Sequence, residues 1–310
     1  MKPAAFEYHR PTTVDDAVEL LDEHDDAELM AGNQSLGIVM ANRLATPDHV
    51  IDVNRIDELD YVDVGEDAVR IGAMVRHRTI ERSDLLADHL PMLPEAAEQI
   101  AGPSVRNRGT LGGSIGEADP AGNYPAVAVA LDGTLHLRSV DGEREVSAED
   151  YFIAYMFTDL RENELVESLS VPRDPYPPER TGMAFLELKR AAQTWPTLSA
   201  AAAVRVDDPD ADDPAVEHAR LALANAADVP LRVEAAEDTV EDAPISEATL
   251  SEAAAAATDA AEPSGEMHAD EEFKEEVAGE YARRALRTAF DRARGVEPPA
   301  FDGDAGRAEA

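Results

Sequence analysis

Two glycine-bearing stretches free of carboxylates interrupt a strongly acidic chain, and no other sequence feature constrains its folding as much. The first, Ala31-Gly32-Asn33-Gln34-Ser35, lies in a window without Asp or Glu from Leu29 to Pro47. The second, Arg106-Asn107-Arg108-Gly109-Thr110-Leu111-Gly112-Gly113-Ser114, lies in a similar window from Gln99 to Gly116, although 65 of the 310 residues are acidic. A pyrophosphate held against backbone needs N–H groups that can approach it, side chains too small to block them, and no carboxylate nearby. Both stretches meet these conditions and read as two halves of one phosphate cradle.

Their surroundings fit that reading. Phe6 to Arg10 is strand-like, and Thr13-Val14-Asp15-Asp16 resembles a capping box opening a helix with Val14, Val18 and Leu21 on one face. Glu28 to Ala31 reads as a short strand entering Gly32, and Leu36 to Leu44 as a helix before the strand Val50 to Val53. The first stretch therefore sits on a strand-to-helix turn. Farther on, Val69 to Ala73 predicts a strand, Thr79 to Leu86 and Met92 to Ile100 predict helices, and Tyr124 to Leu131 is an apolar helix that could pack under the second stretch. Thr134 to Arg138 alternates as a strand after the turn at Asp132-Gly133. The proline-rich stretch Val171 to Pro178 marks a boundary. Beyond it, Met183 to Arg190, Ala200 to Val206 and Ala219 to Ala224 predict strands; Leu231 to Val240, Ser246 to Ala261 and Asp270 to Arg294 predict helices.

Composition narrows the function classes. The length and 44% hydrophobic content allow two domains or a little more, and neither a membrane span nor a signal-peptide core is visible, so the expected compartment is the cytoplasm. With no cysteine, the chain itself cannot hold a thiolate-bound iron–sulfur or zinc centre. The eight histidines show no pairing at helical spacing, and no metal site is expected from them. A formal net charge of −38 argues against nucleic acid or anionic lipid as partner. Lysine is confined to Lys2, Lys189 and Lys274, and Asp-rich runs recur, a pattern expected of a protein adapted to concentrated salt.

Tight glycine turns occur far more often for steric reasons than for nucleotide binding, but here they coincide with local loss of acid and with Arg106 and Arg108, whose guanidinium geometry suits phosphate. Neither stretch fits Gly-x-Gly-x-x-Gly or a Walker lysine loop, which argues against Rossmann and P-loop sites.

On Ala31 to Leu36 followed by Met40 and Arg43-Leu44-Ala45, on Ile71-Gly72-Ala73, on Pro103 to Ser114, and on Ala118-Asp119-Pro120-Ala121 with Pro125-Ala126, the chain resembles the FAD-binding medium subunit of molybdenum hydroxylases, the xanthine dehydrogenase and aerobic carbon monoxide dehydrogenase group. Asp150-Tyr151-Phe152, Glu164-Leu165-Val166, Leu188-Lys189-Arg190 with Trp195, and Arg283 to Leu286 extend the likeness to about Arg294.

The resemblance implies an α+β fold: a para-cresol methylhydroxylase-type FAD-binding domain over 1–175, built of two α+β subdomains (1–56 and 57–175), then a C-terminal domain with a small antiparallel sheet and helices over 180–294 and a disordered tail over 295–310. It implies FAD contacts from Ala31, Gly32, Asn33, Gln34, Ser35, Leu36, Ala101, Thr110, Leu111, Gly112, Gly113, Ser114, Asp119, Asn123, Leu165 and Lys189, with the two glycine motifs on the pyrophosphate and no catalytic side chain. The chain departs from the family pattern where Asn33 replaces a glycine and Asn123 an aspartate. The implied partners are an iron–sulfur small subunit and a large molybdenum-cofactor subunit, with electrons leaving to an external acceptor such as NAD or a quinone. A stand-alone flavin oxidoreductase and a non-catalytic assembly subunit that has lost FAD are the alternatives.

The charge pattern carries its own test. Because molar salt shortens the screening length to about 3 Å, the protein is expected to unfold cooperatively at high ionic strength and to loosen in very dilute salt; denaturation curves recorded across a salt series check this.

Overall fold

Three main sheets and one two-stranded hairpin form along the chain in this computed structural model, which describes residues 2–298. Of the tail expected over 295–310, residues 299–310 lie outside the described residues. The first unit runs β1 (Glu7–His9), α1 (Val14–Glu23), β2 (Ala27–Met30), α2 (Leu36–Ala41) and β3 (His49–Asp52), with the strands parallel in the order β1-β3-β2. Parallel neighbours need crossover connections, which the two helices supply. Thr13 caps α1 by accepting from the Asp16 N–H, and Val14, Ala17, Val18 and Leu21 form the buried stripe that packs on Ile51 and on Leu59, Met74 and Leu165 of the next unit.

The second unit contains β4 (Val62–Val64), β5 (Ala68–Gly72), α3 (His77–Glu81), α4 (Asp84–His89), α5 (Met92–Gln99), α6 (Pro103–Arg106), α7 (Leu111–Glu117), α8 (Asn123–Ala130), β6 (Thr134–Ser139), β7 (Gly142–Ser147), α9 (Ala148–Tyr151), the hairpin β8 (Phe152–Ala154) and β9 (Phe157–Thr158), and β10 (Leu165–Pro172). Its antiparallel sheet has the order β4-β5-β10-β6-β7. The single helix expected over Thr79 to Leu86 is two, because Ser83 leaves helical geometry and accepts from the Leu86 N–H, starting α4 afresh. Every residue of α8 is buried, since the helix is covered on one side by α5 and on the other by the third unit's sheet.

That third unit comprises β11 (Thr181–Leu188), β12 (Leu198–Val206), β13 (Val216–Ala224), β14 (Leu231–Arg232), α10 (Glu234–Val240), α11 (Glu247–Ala260) and α12 (Glu271–Ala293), the strands forming an antiparallel meander in chain order. The helix expected from Leu231 begins only at Glu234, because Leu231 and Arg232 pair with Leu223 and Ala222 as a short edge strand. β12 shows how the units join. Its alternate residues Ala201 and Ala203 face the second unit's core, while Ala200, Ala202 and Val204 face the helical core beneath α12. No helix among the described residues is long and apolar enough to cross a membrane.

The histidines share no helical face, yet three of them meet in space. His9, His24 and His49, distant in sequence, gather in the first unit; strand register places His9 beside His49, the end of α1 brings His24 to them, and helical spacing carries no trace of it.

Gly182 on β11 sets how closely α12 can lie. A Cβ there would come within 1.9 Å of the Ala289 carbonyl oxygen and 2.4 Å of the Ala293 nitrogen, both backbone. Gly182→Ala is therefore expected to destabilise the protein by about 1–3 kcal/mol through overpacking, read as a lowered midpoint in chemical denaturation; an unchanged midpoint would show that the helix shifts without cost.

Candidate functional site

The first glycine segment is the turn from β2 into α2. Asn33 holds it with a φ of 58°, the left-handed region where Asn is the best-tolerated residue after Gly. Its side chain lies over the start of α2, where a Cβ on Gly37 would come within 2.6 Å of Asn33 Oδ1. Ser35, at the N-cap, makes no side-chain capping bond, and while the Ile38 N–H donates to Ser35 O at 2.9 Å, the Leu36 and Gly37 N–H groups at the start of α2 are left for a ligand or solvent.

The second segment is organised differently. Thr110 caps α7 by accepting from the Gly113 N–H at 3.1 Å, while the N–H groups of Leu111 and Gly112 donate to Val75 O at 3.0 Å and Ala73 O at 2.8 Å. Two of those donors fix α7 to the segment that follows β5, and the third is spent on the helix's own cap. The open donors belong to the first segment.

The two segments touch backbone to backbone. A Cβ on Gly32 would lie 2.4 Å from the Arg108 carbonyl oxygen and 2.6 Å from Gly109 Cα, so only glycine permits the approach. A polar staple runs beside the contact. Asn54 Nδ2 donates to Ala31 O at 2.7 Å, Arg76 donates to Asn54 Oδ1 at 2.6 Å, and the same guanidinium donates to Arg108 O. One carbonyl of each segment is thus tied through Asn54 and Arg76.

Below this junction a cavity of about 940 Å³ opens between the three units, at the upper end of the roughly 300–1,000 Å³ usual for ligand and cofactor sites. Ala31 to Leu36, Ala101, Thr110, Gly112, Gly113, Ser114, Asn123, Leu165 and Lys189 line it. Leu111 and Asp119 do not: Leu111 is packed in the second unit's core, and Asp119 accepts from the Ala121 N–H at 2.9 Å. Ala101 sits on the wall with a φ of 41°, strained for an alanine, its carbonyl held by Arg106 at 3.1 Å. Asn123 is buried and donates to Ala96 O at 2.9 Å. The third unit contributes Glu187, Lys189 and residues 193–196. Lys189 Nζ is 2.9 Å from the Glu187 carboxylate, both side chains almost fully buried, and it also donates to Gln99 O.

Two expectations are corrected. Neither Arg106 nor Arg108 lines the cavity: Arg106 is committed to Glu81 at 2.9 Å and to the carbonyls of Ile100 and Ala101, and Arg108 enters the network through its backbone oxygen. The clearing of acid is also local to the glycine segments, because Asp25, Asp26, Glu28, Glu162 and Glu164 line other parts of the cavity. Burial raises the carboxyls of Glu28 and Glu117 above their ordinary values, against the Ser35 hydroxyl in the case of Glu117.

His77, Asn54 and Arg76 have no signature in the sequence. His77 starts α3 beneath Gly109, where burial, reinforced by the charges of Arg76 and Arg106, pulls its imidazole from 6.5 down to about 4. It is neutral at pH 7.

Comparison with known proteins points the same way. Residues 4–174 match the family model described as the FAD binding domain in molybdopterin dehydrogenase, and residues 183–289 match the CO dehydrogenase flavoprotein C-terminal domain. The chain is 37% identical over 297 residues to the carbon monoxide dehydrogenase medium chain of Hydrogenophaga pseudoflava, covering 94% of this chain and 99% of the relative. It is 34% identical over 286 residues to the nicotine 6-hydroxylase medium subunit of Paenarthrobacter nicotinovorans, covering 92% and 98% respectively. Among solved structures it is similar, with a TM-score of 0.89 and 38% identity over 94% of this chain and 99% of the other, to a chain of the Hydrogenophaga pseudoflava carbon monoxide dehydrogenase that lacks the Mo-pyranopterin moiety.

The buried His77 makes a pH prediction. Because its folded value lies below its unfolded one, the unfolded chain takes up the extra proton first, so stability is complete above about pH 6.5 and is lost as pH falls toward about 4. Relative to His77→Gln, the native protein should lose about 3 kcal/mol across that window, measured by denaturation at constant ionic strength; parallel pH curves would contradict a buried neutral imidazole.

Proposed function

This chain belongs to the FAD-binding medium subunits of the molybdenum hydroxylase family, and on that premise we propose that it carries electrons from iron–sulfur clusters of a small partner subunit to an external acceptor such as NAD or a quinone, the substrate being oxidised at a molybdenum cofactor in a large partner subunit. Its own cofactor is FAD. When bound, FAD supplies an isoalloxazine carrier able to exchange electrons singly or in pairs. The single observation that carries the reading is the junction of the two glycine segments over one large cavity.

The residues fit that cofactor. The open N–H groups at the start of α2 suit a pyrophosphate, and the carboxylate-free windows spare it repulsion. Gly113 and Gly116 keep side chains away from the approach; a Cβ on Gly116 would meet nothing within 4 Å. We assign the pyrophosphate to the open backbone of Ala31 to Ser35, lying against the wall that Thr110, Gly112 and Gly113 form, with Leu36 and Ser114 alongside, and the flavin end to Ala101, Leu165 and Lys189. Asn123 keeps an acceptor oxygen where a charge would otherwise stand. Leu111 acts by holding α7, and Asp119 by shaping the turn that follows it.

Nothing in this arrangement needs a side chain to act as acid or base. Glu117 and Asp119, two residues apart, belong to the end of α7 and the turn beyond it. The chain's work is to bind, to orient and to keep water from the buried part of the cavity. Having no cysteine, it depends on partners for any thiolate-held cluster. Relatives named as medium chain and medium subunit support that division of labour.

Purified in molar salt, the chain should show oxidised-flavin absorption at one FAD per chain. Gly32→Ala, which pushes the two segments apart, should weaken FAD retention by roughly tenfold to a hundredfold while leaving the far-UV circular dichroism unchanged. Failure of the native chain to take up added FAD would overturn the reading. Full retention by the variant would remove the glycine junction from it.

A further inference from the structure

Three histidines outside the cavity converge in the first unit. His9 ends β1, His24 is the C-cap of α1, and His49 begins β3. His9 Nε2 lies 3.0 Å from His49 Nδ1, the rings of His24 and His49 stack with centroids 3.8 Å apart and 6° between planes, and one ring nitrogen from each histidine lies within 4.8 Å of the others. The fold accounts for the meeting. In the parallel β1–β3 register Glu7 pairs with His49 and His9 with Ile51, so His9 and His49 project from the face that Ile51 presents to α1. α1 crosses that face and ends at His24.

We propose that His9, His24 and His49 form a binding site for a late first-row divalent cation of the zinc class. Imidazole nitrogen is a preferred donor for these ions. Two imidazole nitrogens bound tetrahedrally at 2.0–2.1 Å are about 3.3 Å apart, so the His9–His49 spacing of 3.0 Å already suits an ion, and the stacked His24 ring must turn out of its parallel arrangement with His49 to aim its nitrogen at the same point. All three rings are half-buried, accessible to an ion yet held by their elements. The field favours a cation as well. The site lies at the negative end of α1, whose last turn carries no basic residue, and the Glu7 carboxylate is 3.9 Å from His49 Nδ1, in position to add an oxygen donor.

The bound ion would tie the ends of β1 and α1 to the start of β3. Asp25 and Asp26, directly after His24, line the cavity, and β2 follows into the Ala31 to Ser35 turn. The site is thus a clamp on the unit that carries the open phosphate donors, and it acts independently of the flavin.

The test uses the untagged full-length chain, stripped with chelator and titrated with Co²⁺ and Zn²⁺ in high salt. One equivalent per chain is expected, with cobalt absorption typical of four- or five-coordinate nitrogen ligation and a Zn²⁺-dependent rise in Tm. His24→Ala, at an exposed helix end, should weaken binding at least tenfold. The triple variant His9→Ala, His24→Ala, His49→Ala should lose both the cobalt spectrum and the Tm response. No stoichiometric binding by the native chain, or equal binding by the triple variant through surface carboxylates, would overturn the proposal.

Discussion

The contact of Gly32 with the backbone of Arg108 and Gly109 is the constraint on which the rest depends. It brings a turn of the parallel sheet against a loop of the antiparallel sheet at a separation no side chain would permit. The consequence is a division of roles. The second loop spends the Leu111, Gly112 and Gly113 N–H groups on anchoring α7, becoming a rigid wall, while the first keeps the Leu36 and Gly37 N–H groups open because the Ser35 side chain does not cap α2. Rigidity on one side and open donors on the other is what a preorganised anion site requires. Asn54 and Arg76 hold the two in register without entering the cavity.

The third unit closes the cavity from below. α8, buried along its whole length, is the floor against which β12 and β13 pack, and the alanines of β12 allow cores on both faces of a single strand. This brings the end of β11 to the cavity wall, where Lys189 pairs with Glu187 and reaches Gln99 O. A buried pair of this kind costs desolvation and adds little stability by itself. Its effect is to place one cation, paired with Glu187, on the cavity wall.

In a chain at −38 both glycine segments are free of acid. Carboxylates remain at Asp25, Asp26, Glu28 and Glu162 around the same cavity. The arginines of the second loop do not offset them there: Arg106 is drawn to Glu81 and to the carbonyls around Ala101, where it locks a strained turn. Shape and backbone polarity, more than side-chain charge, favour an anion at the junction.

Much of this was legible in the sequence because it is local. Strand-to-helix turns, the capping Thr13, the long amphipathic α12 and the absence of cysteine are properties of short segments, and the glycine loops announced themselves through composition; the positive φ of Asn33 follows from what an amide side chain tolerates. What only the tertiary structure decided are meetings between residues far apart in sequence: Asn54 with Arg76, Arg106 with Glu81, Lys189 with Gln99, and His9 with His24 and His49. Sheet register and packing determine these encounters, and a pattern read along the chain carries periodicity within an element but no information on which distant side chain will lie opposite it.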